Sequence, residues 1–385
     1  MGKGARDVEQ LWDRLVTALS TTAEDSRRPD VLVGFLHEVR AKNPVLAARL
    51  LDDAVEHPTL AEYYPYLQGA SDIEQGDLAR LQRSLKVGKA PVRTYVHLAY
   101  RTSDPIPAAD LRDLVLQIAA MESGFDVAIE ILSARLHGAE RRKEEIAPEL
   151  AAAGRALLRE LCFTKKNDHE DYRLGLIATS CLSGEEGATV VRAVCRRFKE
   201  AVRKYETNAF YHDDLLQGLF SVHPLVALES LCGGSAGELA AGVRILDDVR
   251  SRKYVIGVIG EEDLLHWCDA DAHHRYPALA RIITITTGGG DAGPLQWSPL
   301  ARHFLERAPD KVAVVKHFVS QFVPGAWSGS LVGILEAHAV LLGDLKAYPE
   351  LAGFVAEETA RLHAEIEAQR QSEIARDKRR DERFE

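Results

Sequence analysis

Residues able to ligate a metal crowd one short stretch of this sequence: His266, Cys268, Asp269, Asp271, His273 and His274. Imidazole and thiolate suit zinc, and carboxylates suit harder cations. The spacing nevertheless fits no zinc pattern. His266 and Cys268, two apart on a helix, project in different directions, and no H-E-x-x-H occurs. A helix end and a polar turn before Pro277 account for the cluster, so no metal ligand is assigned. Gly288-Gly289-Gly290-Asp291-Ala292-Gly293 satisfies G-x-G-x-x-G behind a β-branched run, a pattern that can cradle a pyrophosphate. Pro294 follows the last glycine, however, and no helix opens inside the motif to offer its amides. We expect an interhelical loop there and no cofactor. A phosphate-binding G-x-x-x-x-G-K-S/T is absent. His169-Glu170-Asp171 and His212-Asp213-Asp214 read as first turns of helices, where carboxylates complement the helix dipole. Neither joins a G-x-S-x-G or Cys/His arrangement for nucleophilic catalysis, and the expectation is a protein that is not an enzyme.

Binding chemistry is better represented. Between Thr189 and Tyr205, Arg192, Arg196, Lys199 and Arg203 are spaced four, three and four, which lines them along one side of a helix, with Arg197 and Lys204 beside them. Like charges in a row repel one another. An acidic protein, an acidic peptide or a phosphate backbone would be attracted there unless neighbours such as Glu200 or an adjacent helix neutralise the row. A second candidate is Trp327, in Val323-Pro324-Gly325-Ala326-Trp327-Ser328-Gly329-Ser330-Leu331. Pro and Gly make a turn, Ser328 or Ser330 can cap a helix from Leu331, and Trp327 is either a buried packing residue or an exposed partner anchor.

These residues must be held by helices. On the same helix, Val191, Val194, Cys195, Phe198, Val202 and Tyr205 step by three and four on the opposite side. Similar stripes recur over Val8–Leu19, Val31–Val39, Leu111–Ile118, Val127–Leu136 and Leu331–Leu345, with short breaks between them. A Pro- or Gly-led start followed by small or apolar residues also recurs, at Asn43-Pro44, Ala90-Pro91, Gly124-Phe125, His223-Pro224, Tyr276-Pro277 and Ala308-Pro309. With one copy near Gly175 drifted beyond recognition, the average interval is about 44 residues, within the range of HEAT and armadillo helix pairs. Tyr254–Gly260 and Ile282–Thr287 are β-branched enough for strands, but the second continues the spacing begun at Leu279, and both are read as helix. From Tyr348 to Glu385 the apolar positions Phe354, Leu362, Ile366 and Ile374 thin out among charged residues, as expected of a long, mostly solvated final helix.

Composition agrees with this organisation. The 385 residues are 46% hydrophobic and 28% charged, which excludes wholesale disorder, and 48 basic against 58 acidic residues give a net charge of −10, against a dedicated nucleic-acid binder. Five scattered cysteines without a C-x-x-C pair suit a reducing, cytoplasmic setting. No secretory leader and no membrane span are expected.

Ala90-Pro91 with His97-Leu98-Ala99-Tyr100, Asp104-Pro105-Ile106-Pro107, Gly124-Phe125-Asp126-Val127-Ala128-Ile129-Glu130-Ile131-Leu132, Trp327-Ser328-Gly329-Ser330 and the ending Asp381-Glu382-Arg383-Phe384-Glu385 resemble the C-terminal HEAT-like helical-repeat regions of large bacterial multidomain proteins of the NTPase-bearing sensor type implicated in phage defence. The resemblance implies a sensor or scaffold portion without an NTPase or effector module of its own, and it assigns no catalytic residue. The expectation is therefore an all-α, HEAT/armadillo-like α-solenoid over 1–345, irregular near 234–300, closed by a charged C-terminal helix over 346–385. Its expected function is non-catalytic binding of a protein partner. The alternative is a nucleic-acid-binding protein using the basic face at 192–204.

Overall fold

Asn43 shows how the chain sets its helices. Its side-chain carbonyl accepts the amide of Leu46 at 3.1 Å, and Pro44, whose missing N–H is not needed in a first turn, opens the next helix. The computed structural model describes residues 2–69, 73–99, 103–164, 170–249, 252–288, 294–324 and 329–381. These residues are overwhelmingly helical, and the all-α class read from the sequence is observed. The chain divides into two units, 1–223 and 224–385.

The first unit comprises α1 (Gly2–Thr21), α2 (Asp30–Lys42), α3 (Pro44–Ala54), α4 (Tyr64–Gln68), α5 (Gln75–Val87), α6 (Ala108–Ala119), α7 (Phe125–Arg142), α8 (Pro148–Glu160), α9 (Asp171–Cys181), α10 (Gly184–Arg203) and α11 (Asp213–Val222). From α6 onward the packing alternates: α6 lies on α7 and α8, α7 on α9, α8 on α9 and α10, and α9 on α11. The apolar stripes face inward, and Leu114, Ile118, Ile131, Leu157, Ile177, Val194 and Leu216 are buried. α9 and α11 approach backbone to backbone. A Cβ placed on Gly218 would lie 2.6 Å from the Gly175 carbonyl oxygen, and one on Gly175 would lie 2.6 Å from the Asp214 carbonyl oxygen. Only glycine fits at that crossing. Nearer the N-terminus a buried charge cluster ties the helices: Asp77 of α5 pairs with Arg80, and also with Arg40 of α2 at 3.0 Å, while Arg80 reaches Asp52 of α3 at 3.3 Å. Such buried charges persist because each has an opposite partner.

The second unit comprises α12 (Pro224–Cys232), α13 (Ala236–Asp248), α14 (Arg252–Gly257), α15 (Glu261–Asp269), α16 (Ala272–Leu279), α17 (Pro299–Arg307), α18 (Lys311–Val319), α19 (Leu331–Asp344) and α20 (Ala352–Asp381). A two-stranded antiparallel hairpin, β1 (Thr286–Thr287) and β2 (Gln296–Trp297), interrupts the helices. Within the unit α13 lies on α12 and α16, α16 on α15 and α18, and α19 on α20. Ser235 and Glu238 form a reciprocal capping box at the start of α13, and Ser298, Asp310 and Ser330 cap α17, α18 and α19. The cap expected of Ser330 is therefore present.

Several sequence expectations are corrected. Ile282–Thr287 is not helical: α16 ends at Leu279, and Thr286–Thr287 pair with Gln296–Trp297. The pairing places Trp297 against Phe318 and Phe322, with its indole N–H donating to the Leu341 carbonyl at 3.1 Å. Local spacing could not reveal that contact. Tyr254–Gly260 is helical only to Gly257. Pro277 lies inside α16 rather than opening a helix, and the segment after Ala90-Pro91 is a 3-10 helix over Val92–Ala99. In the final helix, Val355, Leu362 and Ile366 are buried, whereas Ile374 is exposed.

Candidate partner-binding surface

The basic row lies on α10, whose buried side carries Val191, Val194, Cys195 and Phe198. Tyr205 does not continue that stripe. α10 ends at Arg203, Tyr205 takes a left-handed φ of 61°, and its side chain is 85% exposed. The Glu206 amide then donates back to the Ala201 carbonyl at 2.9 Å, closing the helix end with an aromatic residue where glycine is favoured.

The six basic positions separate into two groups. Arg192, Arg196 and Arg203 are exposed and Lys199 is half-buried, and none of the four forms an ion pair with a described residue. Arg197, one position on, turns instead to α8: its guanidinium donates to the carbonyl oxygen of Leu158 at 2.7 Å and to that of Arg159. These carbonyls lie in the last turn of α8, and the Leu158 oxygen also accepts the Leu161 amide at 3.4 Å, so Arg197 adds a charged donor to the C-terminal end of α8. Lys204 pairs with Glu200 at 3.3 Å. Trp327 lies outside the described residues, as do most of the glycine run at 288–293 and His169.

Two shallow grooves adjoin Cys162 and Thr164, one against α10 and the other among α6, α7 and α8. One, of about 620 Å³, is lined by Leu161, Phe163, Arg197, Glu200, Ala201, Tyr205 and Glu206, among others. The other, of about 800 Å³, is lined by Leu116, Ala119, Phe125, Asp126, Leu157, Arg159 and Glu160, among others. Burial, with Glu170 nearby, raises the Asp126 carboxyl above its ordinary range. Cys162 borders both grooves and is exposed.

Sequence reading missed a polar link inside this unit. The Asp171 carboxylate accepts the amides of Asp214 at 2.7 Å and Leu215 at 3.2 Å, so the first residue of α9 caps α11 across the helix contact. His212, fully buried between Phe163 and Phe198, lies 3.8 Å from Asp171, and its other ring nitrogen is 2.7 Å from the Thr207 hydroxyl. Asp171 and the Asp213–Asp214 pair do open helices, but Asp171 serves its neighbour's N-terminus. The signal was the pair of acidic-histidine triplets, which spacing alone could not connect.

In the second unit the cluster around His266 is dispersed. Asp269 accepts the Tyr276 hydroxyl at 2.6 Å and pairs with Arg307 at 3.2 Å, Asp271 pairs with His274 at 2.9 Å, and Cys268 is buried. No group of three or more His, Cys, Asp or Glu among the described residues is placed to hold a metal ion. No helix among them is long and apolar enough to cross a membrane. Comparison with protein-family models, curated proteins and solved structures finds no match for this chain.

Proposed function

We propose that the chain is a HEAT/armadillo-like α-solenoid acting in the cytoplasm as a non-catalytic scaffold or sensor module that binds a protein partner. The observation that carries this reading is the recurrent sequence separation of its long-range side-chain links. Asp171 reaches Asp214 across 43 residues, His223 reaches Leu182 across 41 and Arg197 reaches Leu158 across 39. In the second unit Trp267 reaches Glu229 across 38, Gln321 reaches Ala280 across 41, and Ser330 reaches Glu373 across 43. Arg27 with Glu62 and Arg40 with Asp77, at 35 and 37, are shorter versions near the N-terminus. Other links span 26 residues, Arg155 to Cys181, or 44, Trp297 to Leu341, so the spacing varies, but its recurrence at about the length of one helix pair is what stacked pairs would produce. Stacked pairs expose extended surfaces, and proteins built that way bind along them.

A second reading, nucleic-acid binding, is favoured by one feature. The cations of α10 are followed closely by the exposed aromatics Tyr205, Phe210 and Tyr211, and charged grooves with stacking platforms suit single strands. Affinity recovery of the tagged full chain with and without nuclease separates the two. A stoichiometric protein partner that survives nuclease supports the first. Recovery of nucleic acid alone, with affinity that falls steeply with salt, supports the second. Turnover of a nucleotide or nucleic acid that a point mutation abolishes, with no stoichiometric partner, overturns the scaffold reading.

A further inference from the structure

Resting on the protein-binding reading above, we propose that the row Arg192, Arg196, Lys199 and Arg203 docks an acidic α-helix of a partner protein, one that presents carboxylates at positions i, i+4, i+7 and i+11. Charge complementarity supplies the sign. Elsewhere in the chain, several arginines that face a neighbouring helix pair with a carboxylate there: Arg155 with Glu186 at 3.1 Å, Arg173 with Glu130 at 3.1 Å, and Arg281 with Asp247 at 2.9 Å. The four cations of the row have no such partner among the described residues, and three of them are exposed. They form a local reversal of sign on a chain whose net charge is −10.

Spacing supplies the shape. At a rise of about 1.5 Å per residue the charges follow one another at about 6, 4.5 and 6 Å along the helix axis. A second helix lying alongside repeats those intervals when its carboxylates have the same spacing. An extended peptide presents same-side residues about every 6.7 Å and falls out of step before the last cation. A nucleic-acid duplex curves away from a straight row. The four-three-four order also reads the same in both directions, so a parallel and an antiparallel partner match equally. Thr189 and Ala193, exposed beside the row, are short enough to let a helix approach to the 8–10 Å typical of packed helices.

The test uses the purified full chain and three fluorescent probes: a helical peptide with glutamates at i, i+4, i+7 and i+11, a peptide of identical composition with those glutamates redistributed around the helix, and a single-stranded oligothymidine. Anisotropy titrations at low and physiological salt should show the registered peptide binding at least tenfold more tightly than the redistributed one. Arg196→Glu with Lys199→Glu should abolish the difference, with an unchanged circular dichroism spectrum. A registered peptide carrying lysines at i+4 and i+7 and glutamates at i and i+11 should then bind the reversed variant. If that variant fails to fold, Arg192→Gln and Arg196→Gln provide the same comparison with smaller effects. Equal affinity for the two acidic peptides overturns the proposal, as does binding of the registered peptide that survives charge reversal. Oligothymidine binding lost on reversal, without peptide selectivity, assigns the row to nucleic acid and also overturns it. A protein partner whose recovery is unaffected by reversal leaves the protein-binding reading standing and removes this site from it.

Discussion

Replacing Gly175 by alanine should destabilise the first unit, although alanine is intrinsically the better helix former. The intrinsic gain is about 0.5–1 kcal/mol for Gly→Ala in a helix interior. Against it stands the crossing of α9 and α11, where the new Cβ would lie 2.6 Å from the Asp214 carbonyl oxygen. Ordinary contact begins near 3.4 Å, and the obstructing atom is backbone, so no side-chain rotation relieves the overlap. The helices must separate, which lifts Asp171 away from the amides of Asp214 and Leu215 that it caps. Overpacking of this kind costs about 1–3 kcal/mol, so the net loss should be about 1–2 kcal/mol. Gly34 of α2 is the control: nothing lies within 4 Å of its added Cβ, and Gly34→Ala should stabilise by about 0.5–1 kcal/mol. Hydrogen exchange read on peptides spanning Asp171–Val222 isolates the effect from the second unit. At about 1.4 kcal/mol per factor of ten, exchange in Gly175→Ala should be about 5- to 30-fold faster. Protection equal to or greater than the native chain's would refute the close-packed crossing.

Arg197→Ala should destabilise the first unit by about 1–2 kcal/mol in urea unfolding, because the carbonyls closing α8 lose a charged donor, whereas Arg196→Ala should stay within about 0.5 kcal/mol. Equal effects would contradict the division between the two residues. Native thiol titration should detect Cys162 quickly and the other four cysteines only on unfolding, since those four are buried and burial pushes the Cys181 thiol up to about 12. More than one fast thiol would refute the burial assignment. Burial holds the His338 imidazole below its ordinary 6.5, so the unfolded chain takes up the proton first. Stability of the second unit should then be full above about pH 6.5 and decline below it, and His338→Phe should flatten the decline, leaving the slope contributed by His317, which burial also lowers. Pulse proteolysis across pH 5–8 measures it, and an unchanged slope would sink the assignment.

Local chemistry was legible wherever a residue acts on its own helix. Asn43-Pro44 and Ser330 announce helix starts because a side-chain acceptor and an absent N–H act within one turn. The inward stripe of α10 was readable through Phe198 for the same reason. It failed at Tyr205 because the turn into left-handed backbone is fixed by the helix end rather than by periodicity. Pro277 defeats the same rules from the other side. Tyr276 is wholly buried against Phe304, and Arg275 donates to the Trp267 carbonyl at 2.7 Å, so tertiary contacts hold a helix that proline weakens. β1 depends on a partner about ten residues away, and the value of its β-branched threonines emerges only when Trp297 finds its aromatic neighbours.

The same limit governs the basic surface. Arg196 and Arg197 are consecutive, identical in type and equally compatible with a charged helix face, yet about 100° of helical rotation sends one to solvent and the other to the end of α8. Nothing in the spacing of α10 distinguishes them, because the deciding element is the position of α8. Once Arg197 is assigned to the end of α8 and Lys204 to Glu200, the surface narrows to four cations on one line. Charges about 6 Å apart in water repel by about 0.7 kcal/mol per neighbouring pair, a cost that salt screens in part. A ligand that matches only net charge relieves that repulsion loosely, whereas one that repeats the four-three-four spacing relieves it at every position. On the docking proposed above, register rather than charge is therefore the property by which a partner is recognised.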